Sequence, residues 1–437
     1  METQANIICA DVSEGLRAIP DRSVQCIVTS PPYYGLRVYS GITPRRWEDG
    51  SECVLGGEQS VHDYVRHIVE CFREMKRVLH PSGTLWLNMG DCYNKSGSHP
   101  EPRKYAQVDA LKPKRKKERG MSKQNLLMVP ARVALALQAD GWVLRQDIIW
   151  AKGLSFCPAY SGSVMPESTQ DRATWSHEHV FHFSLSDKYF YDQDGCREPY
   201  AESTRMQIRS GLYLGQGQKD YASAGVQNPS DTKRRVLASI ANGAGRNLRN
   251  IWVIPKQNYK EAHFATFPEK LIEPIVKLAT SEKGCCSVCF APLRRTTVRE
   301  PVPKEIQTQF EASRTATVAE TGRTDGHTHR KPNYRRKVLR TEWSRSCDCP
   351  GYRTIPQMVL DPFAGSGRAG IAAVRLNRSF TGIDASAEYC ALARHGLRDV
   401  QRQLHGDRQE PVLYTNGATA GAESAVPDGQ SVDYVPA

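Results

Sequence analysis

A serine, two prolines and a tyrosine follow an apolar run in the segment QCIVTSPPYYGLR (residues 25–37). The prolines remove two backbone donors and fix two φ angles, so this edge is rigid and its carbonyl oxygens can accept hydrogen bonds. Acceptors at the Ser30 hydroxyl and the Pro31 carbonyl can hold both hydrogens of an amino group out of the plane of its ring, which restores a nucleophilic lone pair. Tyr33 can stack on a nucleobase that is flipped out of a duplex. The sequence therefore predicts a catalytic edge, formed by Ser30, Pro31, Pro32 and Tyr33, for chemistry on an exocyclic amino group.

A second group of chemically suggestive residues is the glycine loop LDPFAGSGRAG. Gly365 and Gly367 let the backbone approach a ligand closely. Asp384 stands about 20 residues further on, where an acidic side chain can accept both hydroxyls of a ribose. The loop also fits the dinucleotide pattern G-x-G-x-x-G, which makes NAD an alternative ligand. However, Asp361 and Phe363 place a carboxylate and a ring ahead of the glycines, which disfavours a pyrophosphate and favours a cationic cofactor. The loop therefore predicts a site for S-adenosylmethionine.

Two short cysteine groups, CCSVC and CDC, enclose a long polar stretch. Together they predict a closed structural zinc site, with reduced, unliganded cysteines as the alternative. The predicted ligands are Cys286, Cys289, Cys347 and Cys349. Cys285, His327 and His329 are spare candidates.

Composition limits the class of protein. A net charge of +12 and a pI of about 9.1 favour a polyanionic partner, and residues 103–123 concentrate basic side chains that can lie on phosphates. The amino-terminal residues lack the pattern of a signal peptide, and the chain has no apolar run long enough to span a membrane. The sequence therefore predicts a cytoplasmic protein without a membrane partner, in which the 13 cysteines do not form a disulfide framework.

The elements that must position these residues alternate between strand and helix, which predicts a mostly parallel sheet. The pattern predicts strand, helix and strand over residues 5–34, a helix over 61–79, a strand pair over 177–192 and a final helix over about 385–404. Ligands of open α/β sheets bind beyond the carboxyl ends of the strands, near the switch in strand order. If the two halves of the chain share one sheet, the Pro-Pro-Tyr edge therefore faces the glycine loop.

These motifs resemble those of the DNA amino-methyltransferases, which act on cytosine N4 or adenine N6. That family shares a (D/N/S)PP(Y/F/W) catalytic motif and an FxGxG cofactor motif, matched here by SPPY and FAGSG. The catalytic motif comes first, which is the permuted, β-class order. The segments RVLHPSGTLWLNMGD and HFATFPEKLIEPIV are also similar to family motifs. The resemblance implies a Rossmann-like methyltransferase sheet with helices on both faces, a circularly permuted motif order, a target-recognition insert and a Cys-rich insert.

The resemblance also assigns roles to individual residues. It implies eight cofactor-binding residues, which are Asp11, Phe264, Pro268, Asp361, Phe363, Gly365, Gly367 and Asp384. Asp361 is expected near the amino acid end of the cofactor. In the family, serine at the first catalytic position is commoner among N4-cytosine enzymes, which favours cytosine N4, with adenine N6 as the alternative.

The implied organisation places two methyltransferase halves around two inserts. The expected segments are a catalytic half (1–194), a target-recognition region (195–260), a cofactor-lining helix (261–284), a Cys-rich zinc insert (285–350), a cofactor-binding half (351–408) and a disordered tail (409–437). Arg205, Arg209, Lys219, Arg234 and Arg235 are the candidate DNA contacts of the recognition region. The expected partners are double-stranded DNA and a companion restriction endonuclease. A zinc-containing DNA-binding protein without catalysis and an NAD oxidoreductase are the other classes that remain open.

Overall fold

The computed structural model describes most of the chain but not all of it. The described residues are 3–35, 38–39, 42–94, 110–111, 118, 120–157, 160, 162, 164, 167–200, 202, 245–257, 268–300 and 337–405. Phe264, both spare histidines, the five basic residues of the recognition region and most of the basic stretch 103–123 lie outside these ranges. The segment boundaries expected from the sequence stay predictions.

The centre of the protein is an eight-stranded sheet. Its strands are β1 (Ala5–Cys9), β2 (Val24–Thr29), β3 (Leu79–Met89), β4 (Val143–Ala151), β5 (His177–Ser184), β6 (Ile251–Val253), β7 (Met358–Asp361) and β8 (Ser379–Asp384). The spatial order is β1-β8-β7-β2-β3-β5-β4-β6, and β5 runs antiparallel to both of its neighbours. The other neighbouring pairs are parallel. This mixed sheet confirms the predicted Rossmann-like α/β fold.

Strands from opposite ends of the chain meet at the middle of the sheet. β7 pairs with β2 in parallel, with Val359 opposite Cys26 and Leu360 opposite Ile27. The strand that leads into the glycine loop therefore lies beside the strand that leads into the Pro-Pro-Tyr edge. Their carboxyl ends share one edge of the sheet, as the permuted order predicts.

Helices cover both faces of the sheet. They are α1 (Val12–Arg17), α2 (Val61–Val78), α3 (Val129–Ala139), α4 (Glu269–Ala279), α5 (Arg368–Arg375) and α6 (Ala387–His405). Successive strand residues alternate between the two cores: Ile8 and Ile27 pack with α1, α2 and α3, whereas Ile7 and Cys26 pack with α4, α5 and α6. Helix α2 matches the helix predicted over 61–79, and the Ser60 side chain caps it by accepting a hydrogen bond from the Asp63 N–H at 3.1 Å.

Short strand pairs and one 3₁₀ turn complete the described elements. The paired segments are Val38–Tyr39 with Ala110–Leu111, Arg45–Arg46 with Glu52–Cys53, Arg197–Glu198 with Arg246–Asn247, Cys285–Cys286 with Thr354–Ile355, and Arg294–Glu300 with Lys337–Ser344. The 3₁₀ turn is Gln193–Gly195. Within the described ranges, no helix has both the length and the apolar content that crossing a membrane requires.

The strand pair predicted over residues 177–192 is wrong. The segment contains one strand, β5, and the chain then leaves the sheet. Its backbone donors find other acceptors, because the Phe190 N–H bonds to the Ser82 carbonyl at 2.7 Å and the Asp192 N–H bonds to the Leu278 carbonyl at 2.8 Å. Phe190 is buried, and the Tyr189 ring contacts the His182 ring of β5, so the segment packs against the sheet without joining it.

Candidate active site at the carboxyl edge of the sheet

The Pro-Pro-Tyr edge begins directly after β2 and is supported by contacts with Tyr64 and Gly56. The Tyr64 hydroxyl of α2 donates to the Pro32 carbonyl oxygen at 2.8 Å. Gly56 has a positive φ of +87° and lies so close that a Cβ there would come within 3.1 Å of the Tyr33 carbonyl oxygen. These contacts engage the Pro32 carbonyl and fix the backbone of the edge, so Ser30 and Tyr33 lie on a rigid turn.

The Tyr33 hydroxyl is the centre of a hydrogen-bond chain. It donates to Glu178 Oε2 at 2.8 Å, and Ser30 Oγ donates to it at 3.2 Å. Burial and the neighbouring Glu178 carboxylate raise the pKa of Tyr33 well above its ordinary value, so the phenol stays protonated and acts as a donor to Glu178. Because the Ser30 proton points towards Tyr33, the lone pairs of Ser30 Oγ remain able to accept from an amino group.

Glu178 is anchored by Asn88 of β3 and by Lys152, which directly follows β4. Asn88 Nδ2 donates to Glu178 Oε2 at 3.0 Å, and Lys152 forms an ion pair with the other carboxylate oxygen. The pair is largely shielded from water, because the Lys152 and Glu178 side chains are 10% and 14% exposed. The chain of contacts therefore runs from Ser30 through Tyr33 to a fixed, buried ion pair.

Sequence reasoning missed Asn88, Lys152 and Glu178. They lie at the ends of three different strands, and Glu178 reaches the carboxyl edge because β5 runs antiparallel and begins where its neighbours end. The only sequence signal is the placement of a polar residue at the end of each apolar run. Without the strand order, that signal does not reveal that the three side chains meet.

The glycine loop joins β7 to α5 and packs against the end of β8. The Gly365 N–H donates to Asp384 Oδ2 at 2.8 Å, and the Ser386 N–H donates to Asp384 Oδ1 at 2.8 Å. Burial raises the pKa of Asp384 above its ordinary value. A Cβ built on Gly365 would meet no described atom within 4 Å, so open space lies over this residue. Gly365 and Asp384 thus border a space that can receive a ligand.

The other two glycines of the loop serve packing. A Cβ on Gly367, whose φ is +76°, would lie 2.9 Å from the Ala393 Cβ of α6. A Cβ on Gly370 would lie 2.5 Å from the Phe380 ring. These glycines let α5 approach α6 and the sheet closely, which sets the start of α5 beside Asp384.

Asp361 connects the two halves of the site. Its Oδ1 accepts from Thr29 Oγ1 at 2.6 Å and from the Phe363 N–H at 3.1 Å. Burial raises the pKa of Asp361 to about 7, although both hydrogen bonds oppose the shift. The carboxyl group lies between the glycine loop and the last residue of β2, so a cation bound there would favour its ionised form.

The remaining predicted cofactor residues differ in their placement. Asp11 caps α1, accepting from the Ser13 N–H at 3.0 Å and from Arg45 at 3.3 Å. It lies near Asp384, because the Ala10 N–H donates to the Asp384 carbonyl at 3.0 Å. Pro268 is the buried residue at the start of α4. The next residue, Glu269, pairs with Arg368 of the glycine-loop helix at 3.4 Å, which places the start of α4 beside the loop.

The predicted zinc ligands come together in space. The thiol sulfurs of Cys286, Cys289, Cys347 and Cys349 all lie within 4.8 Å of one another. Cys285 is buried beside them but is not part of the group. This cluster is separate from the carboxyl edge described above.

The residues at the carboxyl edge suit a cationic nucleoside cofactor. Asp384 places a carboxylate beside the open space over Gly365, the buried Asp361 carboxyl lies at the end of the strand that leads into the loop, and residues 361–367 contain no lysine or arginine. Arg368, which follows, is engaged by Glu269. An acceptor edge for an amino group lies on the neighbouring strand. An open sheet with a glycine loop and a Ser-Pro-Pro-Tyr edge at its switch point has the architecture of an S-adenosylmethionine-dependent methyltransferase.

Comparison with protein families identifies the chain. The N6/N4 methyltransferase family, described as DNA methylase, matches residues 24–291 and 313–395. The chain belongs to this family of DNA amino-methyltransferases. S-adenosylmethionine is its cofactor and DNA is its substrate.

Individual relatives agree with the assignment. The type II methyltransferase M.Cfr9I of Citrobacter freundii is 35% identical over 283 residues, which cover 64% of this chain and 74% of the relative. The type II methyltransferase M.XycI of Xanthomonas campestris pv. cyanopsidis is 30% identical over 387 residues, 88% of this chain and 84% of the relative. A solved structure, PvuII DNA methyltransferase (cytosine-N4-specific), aligns with a TM-score of 0.45 and 16% identity, covering 93% of this chain and 95% of that one. At that level the structural likeness adds nothing to the assignment.

Proposed function

We propose that the protein methylates N4 of cytosine in double-stranded DNA, with Ser30, Pro31 and Tyr33 forming the site for the amino group. The observation that carries this proposal is the hydrogen-bond chain from Ser30 Oγ to the Tyr33 hydroxyl at 3.2 Å and on to Glu178 at 2.8 Å. It presents a neutral acceptor of fixed orientation at the end of β2. Serine at this position is also the choice that the family favours for cytosine.

The chain's own residues can orient the amino group for attack. Ser30 Oγ and the Pro31 carbonyl oxygen accept its two hydrogens, which turns the nitrogen lone pair out of the plane of the base. When bound, S-adenosylmethionine supplies the methyl group from its sulfonium. Asp361 and Asp384 hold the cofactor at the neighbouring strand ends, so positioning of the two reactants supplies most of the catalysis.

The same hydrogen-bond chain offers a route for the proton that the amino nitrogen loses. Ser30 Oγ can take that proton while passing its own to the Tyr33 hydroxyl, and Tyr33 in turn passes its proton to Glu178. The two transfers within the protein, from Ser30 to Tyr33 and from Tyr33 to Glu178, each follow a hydrogen bond already present. Lys152 balances the carboxylate before transfer, since the two side chains form an ion pair. In this scheme Ser30 touches the substrate, whereas Glu178 acts through Tyr33.

The test is nucleoside mass spectrometry of DNA after incubation with the purified protein and S-adenosylmethionine. We expect N4-methylcytosine, and digestion of mixed-sequence DNA pools should show it at a defined sequence. N6-methyladenine as the product would refute the base assignment while leaving the family intact. Ser30→Ala is the matched variant: it should lower the rate of methyl transfer and leave binding of S-adenosylmethionine within a few fold.

Two further parts of the proposal concern partners. The type II names of the relatives support a companion restriction endonuclease that cuts the same sequence. Protection of DNA from such an endonuclease after methylation would test this assignment. The five basic residues expected between 195 and 260 are proposed to contact the recognition sequence, and their replacement by alanine should weaken DNA binding without changing cofactor affinity.

A further inference from the structure

The four clustered thiols define a second site, at the opposite end of the strands from the catalytic edge. We infer that Cys286, Cys289, Cys347 and Cys349 bind one Zn²⁺ ion as a closed, structural tetrathiolate centre. Their sulfurs lie within 4.8 Å of one another. Tetrahedral zinc with Zn–S bonds of about 2.3 Å requires sulfurs about 3.8 Å apart, so small side-chain adjustments complete the site.

The backbone around Cys286 is shaped to support a thiolate. The Val288 N–H donates to Cys286 Sγ at 3.3 Å, and the Phe290 N–H closes the turn on the Cys286 carbonyl at 3.0 Å. Phe290 adopts a left-handed φ of +59°, which an L-residue accepts only where the turn requires it. A backbone donor aimed at sulfur stabilises the charged ligand form, so this tight turn is built for a metal rather than for apolar packing.

A second group of metal-ligating side chains in the described residues lacks this character. Cys53, Glu58 and His67 also lie within 4.8 Å of one another. However, the two ring nitrogens of His67 already face carboxylates, Glu58 at 3.0 Å and Asp49 at 3.2 Å. That histidine therefore acts as a structural link between acidic side chains, and the four-thiol cluster is the metal site.

The zinc site lies at the amino edge of the sheet. The strand Cys285–Cys286 pairs with Thr354–Ile355, just before β7 begins. Gln25, near the start of β2, links the turn after Cys286 to the start of β7: its Oε1 accepts from the Met358 N–H at 2.6 Å and its Nε2 donates to the Phe290 carbonyl at 3.4 Å. The catalytic edge begins at the other end of β2, roughly 17–20 Å away for a strand of this length.

This position determines the role of the ion. Zinc at the amino edge is too remote to touch the base or the cofactor. It closes the chain between the end of the Cys285–Cys286 strand and the start of β7, and so fixes the base of the hairpin Arg294–Glu300 with Lys337–Ser344. The centre therefore stabilises the entry to the strand that carries the glycine loop.

The test measures metal in the full-length protein purified without added zinc. Elemental analysis should find about one zinc per chain, and Co²⁺ exchanged into the site should show thiolate-to-cobalt absorption typical of four sulfur ligands. Cys347→Ser and Cys349→Ser should each lower the zinc content at least about tenfold. Cys285→Ser is the matched control, since it removes a buried neighbouring thiol and should leave the zinc content unchanged.

Zinc removal and the cysteine variants distinguish a bound zinc ion from reduced, unliganded cysteines. Removal of zinc with a chelator should lower the unfolding temperature of the wild-type protein, and re-added zinc should restore it. Wild-type protein that holds no zinc and shows no cobalt–thiolate absorption would overturn the inference. So would zinc that persists in both the Cys347→Ser and Cys349→Ser proteins. Because the cobalt spectrum is recorded on wild-type protein, the test does not depend on whether the variants fold.

Discussion

We expect the buried Asp361 carboxyl to make cofactor binding depend on pH. Its pKa is raised to about 7 by burial, and we propose that it meets the positively charged end of S-adenosylmethionine. At pH values between the ordinary pKa of an aspartate and this raised pKa, Asp361 is protonated in the folded, cofactor-free protein and ionised in the unfolded chain. The contribution of Asp361 to the free energy of unfolding therefore falls as pH rises through this window. Cofactor binding should follow the opposite direction, because the cation requires the ionised carboxylate.

The size of the effect follows from the raised pKa. With a pKa of about 7, roughly a tenth of the Asp361 groups are ionised at about pH 6 and roughly nine tenths at about pH 8. If the cofactor binds only the ionised form, its Kd should decrease about tenfold between these pH values. Asp361→Asn keeps an acceptor oxygen for Thr29 and Phe363 but cannot ionise. Loss of the charge should weaken binding at about pH 8 by roughly 10- to 100-fold.

Isothermal titration calorimetry of S-adenosylmethionine into the wild-type and Asp361→Asn proteins measures how the cofactor Kd of each changes with pH. Any pH dependence that comes from the amino group of the ligand is common to wild type and variant, so the difference between their slopes belongs to Asp361. Thermal unfolding of each protein without ligand checks that both are folded across the range. Equal slopes for wild type and Asp361→Asn would refute the assignment of this carboxyl to the cationic end of the cofactor.

Three further predictions concern Glu178, Asp384 and the packing of the glycine loop. Glu178→Gln weakens the anchor of the Tyr33 hydroxyl and removes the proton acceptor, so kcat should fall about 10- to 100-fold with the cofactor Kd nearly unchanged; an unaltered kcat would remove Glu178 from the mechanism. Asp384→Ala should instead raise the cofactor Kd before it affects kcat at saturating cofactor, and calorimetry showing the same Kd would place Asp384 outside the binding site. Gly367→Ala adds a methyl group against α6 at a φ of +76°, whereas Gly50→Ala, at a φ of +80°, meets no described atom within 4 Å. Denaturant unfolding should show the first variant to be about 1–3 kcal/mol less stable than the second, and equal losses would mean that backbone strain alone accounts for both.

Much of the fold could be predicted from local pattern. Helix α2 and strands β1, β2, β7 and β8 follow from apolar periodicity and from their capping and glycine signals. The motifs at the ends of β2 and β7 predict that the Pro-Pro-Tyr edge faces the glycine loop if both halves share one sheet, and the structure adds that these two strands are direct neighbours. The second strand expected before residue 192 is absent because the Phe190 and Asp192 N–H groups bond to Ser82 and Leu278, and the local sequence pattern does not encode these tertiary contacts.

The site could be predicted only where its residues form a contiguous motif. Ser30 and Tyr33 belong to one motif, and so their common role is visible in the sequence. Glu178 and Lys152 are not visible in this way, because their meeting depends on the reversed direction of β5. The four cysteines show the intermediate case: their two spacings suggest half-sites, but only the pairing of Cys285–Cys286 with Thr354–Ile355 brings the halves together.

The pairing of β7 with β2 also has a consequence for biosynthesis. The hydrogen bond between Thr29 and Asp361 joins residues 332 positions apart in the chain. The middle of the sheet therefore cannot form while the ribosome is still translating the intervening residues. Until β7 has been synthesised, the edge of β2 that pairs with it stays without its partner strand. Such late, long-range closure is slow and exposes strands to misassembly. We expect the nascent amino-terminal half to need chaperone protection, and we expect no truncated chain ending before β7 to methylate the DNA of its own cell.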